Sequence, residues 1–335
     1  MPPWICAFLS SLGKNGFSVS WKAGQRRSGS RRERGGLLMR IMQCVPNFSE
    51  GRSPSFVREL KAVLAQFPVK LLDVSMNKDH NRADATFLGA PDAVEAAAMA
   101  VAGRALELID MRTHKGSHPR MGAVDVVPFV PLRGMTMAEA VEIARRFGRA
   151  FAEKYQIPVF FYEEACTTEA RRSLADIRRG EYEGMPRKLQ DPAWIVDTGP
   201  QKLNEKSGVT AVGARMPLIA LNVNLHTPDV EIAKKIANAV RHVGGGLRFV
   251  RAIGMRVEDK GIVQVSMNLT NYHKTPIHRA VELVKVEAAR YGVSVKNCDL
   301  VGMVPIEAIE EVVSYYLRIP GFTSKQIIEY HIPPD

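Results

Sequence analysis

The feature that most constrains the fold is the order in which strand and helix patterns alternate along residues 39–335. Short apolar segments of strand length alternate with longer ones whose apolar residues recur every three or four positions, as in a helix. Both halves follow the order strand, helix, strand, strand, helix, strand, which is the ferredoxin-like βαββαβ pattern. We therefore predict an α/β (α+β) protein of two such subdomains, residues 39–215 and 216–335, with facing sheets and a ligand cleft between them.

Turn and cap residues locate several elements within this pattern. Ser53 and Pro54 are suited to the cap and first position of a helix. Two strand patterns predict a hairpin that turns at Asp259, Lys260 and Gly261. Residues 167–208 contain one helical pattern and then a segment rich in Pro and Gly, which we interpret as a linker or functional loop. We expect residues 197–215 to form a loop between the domains.

Composition places the chain among globular proteins. Hydrophobic residues make up 46% and charged residues 24% of its 335 residues. No apolar run approaches the roughly 18–20 residues that span a membrane, so we expect no membrane partner. The net charge is +11, but residues 1–38 carry seven basic residues and one acidic residue, which leaves +5 on the remainder. Since no aromatic and basic residues interleave as in RNA-binding modules, nucleic-acid binding is disfavoured.

Residues 1–38 differ from the rest of the chain because they have neither strand nor helix periodicity. We interpret them as an extraneous or disordered extension. A start assigned upstream of Met39 is the favoured explanation, while a transit peptide and a disordered tail stay open.

The four cysteines, Cys6, Cys44, Cys166 and Cys298, are scattered and form no CxxC pair. This spacing argues against a zinc ribbon or a dithiol redox site. Few and unpaired thiols are typical of a reducing, cytoplasmic compartment.

A polar loop, "MRTHKGSHPRMG", directly precedes an apolar strand pattern. His114 and His118 have the HxxxH spacing of zinc ligands on a helix, but Gly116 and Pro119 oppose a helix and no third ligand is near. We therefore expect no metal. His118 is a candidate acid–base group, because a rigid loop at a strand end commonly presents catalytic side chains and histidine titrates near neutrality. For His114 a structural role, bonding backbone groups within the loop, is favoured.

A second polar loop, "NKDHNRAD", offers Asp79, His80, Asn81, Arg82 and Asp84. This loop is either a solvated turn or one wall of a ligand site, with a carboxylate for a cation and an arginine for an anion. "NFSEGR", at the end of the first strand, is a third such stretch and a weaker signal.

These stretches resemble the glutamate formiminotransferase family, folate-dependent enzymes that in animals are fused to a cyclodeaminase. The resemblance runs in order from about residue 42 to residue 316, without a cyclodeaminase region. The matching segments are "CVPNFSEGR", "HNRADATFLGAP", "LIDMRTHKGSHPRMGAVDVVPFVPLRG", "PVFFYEEA", "LADIRRGEYEGMPRKL", "GVTAVGARMPLIALNVNL" and "VQVSMNLTNY".

The resemblance implies a transferase that moves a formimino group from N-formimino-L-glutamate to N5 of tetrahydrofolate by acid–base catalysis through one histidine. The products are 5-formiminotetrahydrofolate and L-glutamate. It also implies tetrahydrofolate as co-substrate and a homodimer with the folate in the cleft. The transfer itself needs no metal. Formyl transfer between 5-formyltetrahydrofolate and glutamate, and a non-catalytic folate-binding module, stay open as alternatives.

The family's site residues carry over by position. Its catalytic histidine corresponds to His118. An acidic residue of animal members corresponds to Ser75, which leaves Asp73 or Asp79 as the carboxylate partner. The folate-binding loop corresponds to Gly199, Pro200, Gln201, Lys202, Leu203, Asn204, Glu205, Lys206, Ser207 and Gly208. Because the substrates carry anionic and cationic groups, the candidate substrate-binding residues, chosen for their charge and polarity, are Asp73, Asp79, His80, Asn81, Arg82, Arg120 and Arg215.

Overall fold

The computed structural model describes residues 39–257 and 261–332. The predicted N-terminal extension, Cys6, and the turn residues Asp259 and Lys260 lie outside the described residues. Within the described part of the chain, no helix is long and apolar enough to cross a bilayer.

The first sheet contains seven strands and is covered on one face by three helices. Its strands are Met42–Cys44 (β1), Asn47–Phe48 (β2), Val69–Asn77 (β3), Arg82–Gly89 (β4), Val124–Pro131 (β5), Val159–Glu163 (β6) and Thr210–Ala214 (β7). The three helices are Pro54–Leu64 (α1), Pro91–Leu108 (α2) and Met137–Tyr155 (α3).

Strand pairing gives this sheet a ferredoxin-like half and a parallel extension. β3 pairs with β4, and β4 and β5 flank the interrupted first strand, β1 and β2, in antiparallel fashion. β5 then pairs with β7, and β7 with β6, both in parallel. The core under α1–α3 includes the fully buried rings of Phe48, Phe87, Phe129, Phe147 and Phe151.

The prediction that residues 197–215 form a loop between domains was wrong for their last part. Thr210–Ala214 is strand β7, inserted between β5 and the edge strand β6. Its sequence, "TAVGA", has small residues and a glycine, so it lacks the bulky β-branched run that marks a buried strand. The structure instead requires small residues there, because a Cβ on Gly213 would lie 2.5 Å from the Tyr162 ring.

Residues 167–208 are likewise not a simple linker. Two helices, Leu174–Arg178 (α4) and Glu181–Lys188 (α5), lie in this region. They contribute Ile177 and Met185 to a second apolar cluster on the other face of the sheet, together with Phe160 and Tyr162. β5, β6 and β7 are therefore covered on both faces.

The second sheet has four antiparallel strands in the order β11-β8-β10-β9. They are Ile219–Leu225 (β8), Val250–Val257 (β9), Ile262–Leu269 (β10) and Val295–Val301 (β11). The helices of this half are Val230–Val240 (α6), Ile277–Ala289 (α7) and Ile306–Leu317 (α8). The chain order and strand order are those of a ferredoxin-like βαββαβ unit, with a separate apolar core.

The predicted α/β class with two sheets is thus confirmed. An ion pair joins the two sheets, from Arg251 Nη2 in β9 to Glu163 Oε1 at the end of β6, at 2.8 Å. The boundary between residues 215 and 216 and the ligand cleft stay predictions.

Candidate functional site

Three polar stretches that are far apart in sequence meet at Asn81. The Asn81 side chain accepts a hydrogen bond from the Gly51 N–H and donates one to the Lys115 carbonyl, both at 2.9 Å. The backbone carbonyl of Asn81 accepts from His114 Nε2 at 3.0 Å. Asn81 is 6% exposed and has a positive φ of 47°, a conformation that asparagine tolerates better than most residues. "NFSEGR", "NKDHNRAD" and "HKGSHPRMG" are therefore parts of one site.

Gly116 allows two of these loops to touch. A Cβ at this position would lie 2.4 Å from the His80 carbonyl oxygen, well inside van der Waals contact. Ser117 stabilises the same contact between the loops, since its N–H and hydroxyl both donate to the Asp79 carbonyl, at 3.1 and 3.0 Å. The glycine and serine of "HKGSH" thus bring His118 to the neighbouring turn.

His118 is a half-buried histidine whose Nε2 lies 2.7 Å from Arg82 Nη1. Its ring centroid is 5.7 Å from that of His80. Burial is the main reason that the pKa of His118 is lowered to about 2, and the positive charges of Arg82 and Arg178 lower it further. The imidazole is consequently neutral near pH 7, and its protonation is disfavoured while it is buried beside these two arginines.

The carboxylate that the structure connects to His118 is that of Asp84. Asp84 Oδ1 lies 3.4 Å from Nη2 of Arg82, the arginine that contacts His118. Oδ1 also accepts a hydrogen bond from the Ser75 hydroxyl at 2.7 Å. Of the two partners expected from the sequence, Asp73 lies on β3 opposite Thr86, and Asp79 is exposed in the turn. Asp84 was named in the polar loop but was not singled out as that partner.

The guanidinium of Arg120 is buried and already hydrogen-bonded to other side chains. Its side chain is 8% exposed. Nη1 donates to Glu181 Oε2 at 2.7 Å, and Nη2 to Glu183 Oε1 at 2.6 Å. Nε donates to His114 Nδ1 at 3.2 Å. Because this nitrogen accepts, Nε2 of His114 carries the proton donated to the Asn81 carbonyl, and His114 has the structural contacts expected for it.

Asp125 and Arg178 form a second buried pair that sequence reasoning missed. Asp125 is 2% exposed and lies in β5, where Oδ1 accepts from the Met121 N–H at 2.8 Å and Oδ2 accepts from Arg178 Nη2. Arg178 is close enough to lower the pKa of His118. The sequence did contain a signal for this pair, because Asp125 is a lone acidic residue within the apolar run "AVDVVPF". Since an unpaired carboxylate is rarely buried, such a residue indicates a buried partner.

The predicted folate loop, residues 199–208, is anchored at its end beside the His118 loop. The Ala123 N–H donates to the Ser207 carbonyl at 2.8 Å. Gly208 has a φ of +75°, and a Cβ there would lie 2.2 Å from the Met121 carbonyl oxygen. The loop therefore ends against the segment that joins His118 to β5.

Several side chains inside this loop bond the protein itself. The Gln201 amide bonds the Val196 N–H and the Leu189 carbonyl, each at 2.8 Å. Asn204 Oδ1 accepts from the Ser207 N–H at 3.0 Å, and Leu203 packs against the second apolar cluster. Lys206 Nζ donates to the Glu107 carbonyl at 3.2 Å. The exposed side chains of Lys202 and Glu205 extend from this framework.

Arg215 lies away from His118 along the sheet. Its N–H donates to the carbonyl of Phe129 near the carboxyl end of β5, and Nη1 donates to the Met216 carbonyl at 3.0 Å. His118 instead precedes the amino end of β5. The structure thus brings Asp79, His80, Asn81, Arg82 and His118 together, and it separates Arg215 from them.

In residues 39–257 and 261–332, no group of three or more His, Cys, Asp and Glu side chains is arranged to hold a metal ion. His114 and His118 have different partners, Asn81 and Arg120 for the first and Arg82 for the second.

Comparison with known proteins identifies the family. A family model described as the formiminotransferase domain, N-terminal subdomain, matches residues 41–215, and one described as the formiminotransferase domain matches residues 220–331. The chain belongs to the formiminotransferase family. The family resemblance stated from the sequence is thereby confirmed.

Formiminotransferase relatives include both stand-alone and fused proteins. The chain is 44% identical over 297 residues to the glutamate formimidoyltransferase of Streptococcus pyogenes serotype M1, covering 88% of this chain and 99% of the relative. It is 46% identical over 294 residues to the protein of that name from Thermoplasma acidophilum, covering 87% and 97%. Identity to the formimidoyltransferase-cyclodeaminase of Gallus gallus is 41% over 288 residues, covering 84% of this chain and 53% of the relative.

Proposed function

We propose that this protein is a glutamate formimidoyltransferase, which transfers the formimino group of N-formimino-L-glutamate to N5 of tetrahydrofolate. The observation that carries the proposal is the neutral His118, held where three polar loops meet. Family membership and two stand-alone relatives of that name support it.

The reaction requires one proton to move between two nitrogens. A bond forms between N5 of the folate and the formimino carbon, and the bond from that carbon to the glutamate nitrogen breaks. N5 loses a proton and the glutamate nitrogen gains one, so atoms and charge balance. We propose that His118 takes the first proton and delivers it to the leaving nitrogen, a role typically worth about 10²–10⁴-fold in rate.

The charges near His118 match the charges of these substrates. The amidine becomes cationic when protonated, and Asp84 is a nearby carboxylate for it. Glutamate carries carboxylates that an arginine fork binds well. We assign this role to Arg82 rather than to Arg120, whose guanidinium is already paired with Glu181 and Glu183.

We propose supporting roles in the same reaction for the other predicted site residues. Residues 199–208 are the proposed folate-binding loop, with Lys202 and Lys206 suited to the anionic tail of the folate. Asp79 and His80 lie on the turn beside His118 and are proposed to contact the donor. Asp73, Asn81 and Arg215 are retained as lower-ranked candidates.

The test is a rate assay on the full chain with wild type, His118→Ala and a control, His226→Ala. His226 is an exposed residue that bonds the Ser294 hydroxyl in the second subdomain. Tetrahydrofolate plus N-formiminoglutamate is expected to turn over, and His118→Ala to lose about 10²-fold or more while still binding folate. His226→Ala should match the wild type.

Undiminished turnover by His118→Ala would remove this histidine from the mechanism. A parallel assay with 5-formyltetrahydrofolate and glutamate tests the formyl alternative. Turnover in that assay alone would replace the formimino proposal, and no turnover in either assay would favour a binding module.

We further propose a cytoplasmic homodimer. Within α8 only Ala308 is buried, whereas Ile309, Tyr315, Tyr316 and Leu317 are exposed. Several exposed apolar and aromatic side chains on one helix are typical of a surface that a second copy covers. Cys44, Cys166 and Cys298 are free thiols, as expected in a reducing compartment. Light scattering of wild type and Leu317→Glu tests the dimer: a monomeric wild type would refute it.

A further inference from the structure

We propose that Arg82 is a positioning residue that occupies the proton-accepting nitrogen of His118 until a carboxylate of the amino-acid substrate draws the guanidinium away. This inference rests on the proposed function, because it concerns the base of that reaction. It makes the base available only when the amino-acid substrate is bound.

The hydrogen bond between the two side chains can run in only one direction. A guanidinium has donors and no acceptor. Arg82 Nη1, 2.7 Å from Nε2 of His118, must therefore donate to that nitrogen. The ring proton then lies on Nδ1, which is consistent with the hydrogen bond between the ring and the backbone of Pro119. The lone pair that would accept a proton from N5 is already engaged.

The charge around the ring disfavours its protonation. His118 faces Arg82 from β4, Arg178 from α4 and His80 from the preceding turn. The nearby carboxylates, Asp84 and Asp125, already bond other groups. Asp84 is shared between Arg82 and the Ser75 hydroxyl, and Asp125 between Arg178 and the Met121 N–H. Protonation of His118 would thus place a third positive charge between two arginines.

The two arginines differ in how firmly a carboxylate holds them and in how exposed they are. Arg178 bonds the buried carboxylate of Asp125, and its side chain is 16% exposed. Arg82 has a longer contact of 3.4 Å with Asp84, and its side chain is 32% exposed. Arg82 is therefore the arginine that an arriving ligand can reach and move, whereas Arg178 remains in place.

A substrate carboxylate has the geometry to complete this exchange. It can accept two parallel hydrogen bonds from the guanidinium, whereas the neutral imidazole accepts one. Once Arg82 turns to the carboxylate, Nε2 is free, and the added negative charge favours protonation of the ring. Donor binding and base activation are then one event, and folate alone meets a blocked base.

Nitrogen NMR of the histidine rings tests this in the full chain, independently of turnover. In the free wild type we expect His118 to show a proton on Nδ1 and no titration between pH 5 and 9. L-Glutamate, which carries the carboxylates of the donor, should shift the Nε2 signal of His118 and raise the pKa of the ring. L-Glutamine and L-isoglutamine, each lacking one carboxylate, identify which carboxylate acts: one of the two should fail to produce the change.

Three variants complete the test. In Arg82→Gln, the pKa of His118 should be higher than in the wild type without glutamate, and glutamate should shift it little. Arg82→Lys keeps the charge without the fork and should give an intermediate response, which guards against a folding defect in the first variant. Arg290→Gln removes an exposed arginine paired with Glu287 on α7, and its His118 should behave as in the wild type.

An ordinary titration of His118 near pH 6.5 in the free wild type would overturn the proposal. So would glutamate binding, measured by calorimetry, that leaves the His118 signals unchanged. Failure of the proposed function has a different signature: wild type would show no transferase turnover, whatever the NMR response.

Discussion

The clearest quantitative expectation concerns Asn81, because its side chain joins two loops at once. In Asn81→Ala the buried N–H of Gly51 loses its partner, at a cost of about 1–3 kcal/mol. The carbonyl of the exposed Lys115 also loses its bond, but water can replace it, so this loss is about 0.5–1 kcal/mol. An alanine at a φ of 47° adds about 1 kcal/mol. We expect a total destabilisation of about 2.5–5 kcal/mol.

Two further substitutions at the same position separate these contributions. Asn81→Gly removes both bonds but tolerates the positive φ, and should be about 1 kcal/mol more stable than Asn81→Ala. Asn81→Asp keeps the acceptor for Gly51 and should lose about 1 kcal/mol relative to wild type. Asn238→Ala, on the exposed face of α6, is the control, since it removes only a bond to Arg241.

Urea unfolding followed by circular dichroism measures these differences. The expected order of stability is wild type, Asn81→Asp, Asn81→Gly, Asn81→Ala. An Asn81→Ala protein within about 0.5 kcal/mol of wild type, the range of ordinary surface changes, would refute the view that Asn81 holds the loops together. Since His118 depends on the same loops, the transferase rate should fall in the same order.

Two other predictions concern the same region. Gly116→Ala should lower transferase activity by about 10²-fold, because the added Cβ would lie 2.4 Å from the His80 carbonyl oxygen and would displace the His118 loop. Gly184→Ala in α5 is the control, since a Cβ there would have nothing within 4 Å. Equal activities of the two variants would contradict the steric argument. In Arg120→Met, stability to urea should fall less between pH 7 and pH 3 than it does in the wild type. Arg120 lowers the pKa of Glu183, so this pair stabilises the fold above the ordinary pKa of a glutamate and loses that contribution as pH falls. Urea midpoints between pH 7 and 3 measure it, and parallel curves for wild type and Arg120→Met would count against the pairing.

The elements with strong periodicity were predictable, and those defined by their neighbours were not. The helix at Pro54–Leu64 has the Ser53 cap and the first-turn proline expected from the sequence. The chain order of both halves also predicted the ferredoxin-like sheets. In contrast, β7 is a strand because β5 and β6 supply a ladder on each side, and its small residues carry little signal of their own.

The site shows the same division. The loops containing Arg82 and His118 were predicted to be functional because charged and titratable residues are unusual directly before a buried strand. Contacts between these loops depend on tertiary structure, so neither the Arg82–His118 bond nor the engagement of Arg120 by Glu181 and Glu183 followed from spacing. Arg178 was missed because its partner, Asp125, lies 53 positions earlier in the chain.

The position of β7 between β5 and β6 has a consequence for how the chain folds as the ribosome makes it. β5 and β6 are not neighbours, so each exposes an unpaired edge until residues 210–214 leave the ribosome and fill the gap. Open strand edges are templates for pairing with other chains. The nascent protein therefore has an aggregation-prone period between the synthesis of β6 and that of β7. Synonymous codons that slow translation across residues 164–209 should lengthen this period and increase dependence on chaperones.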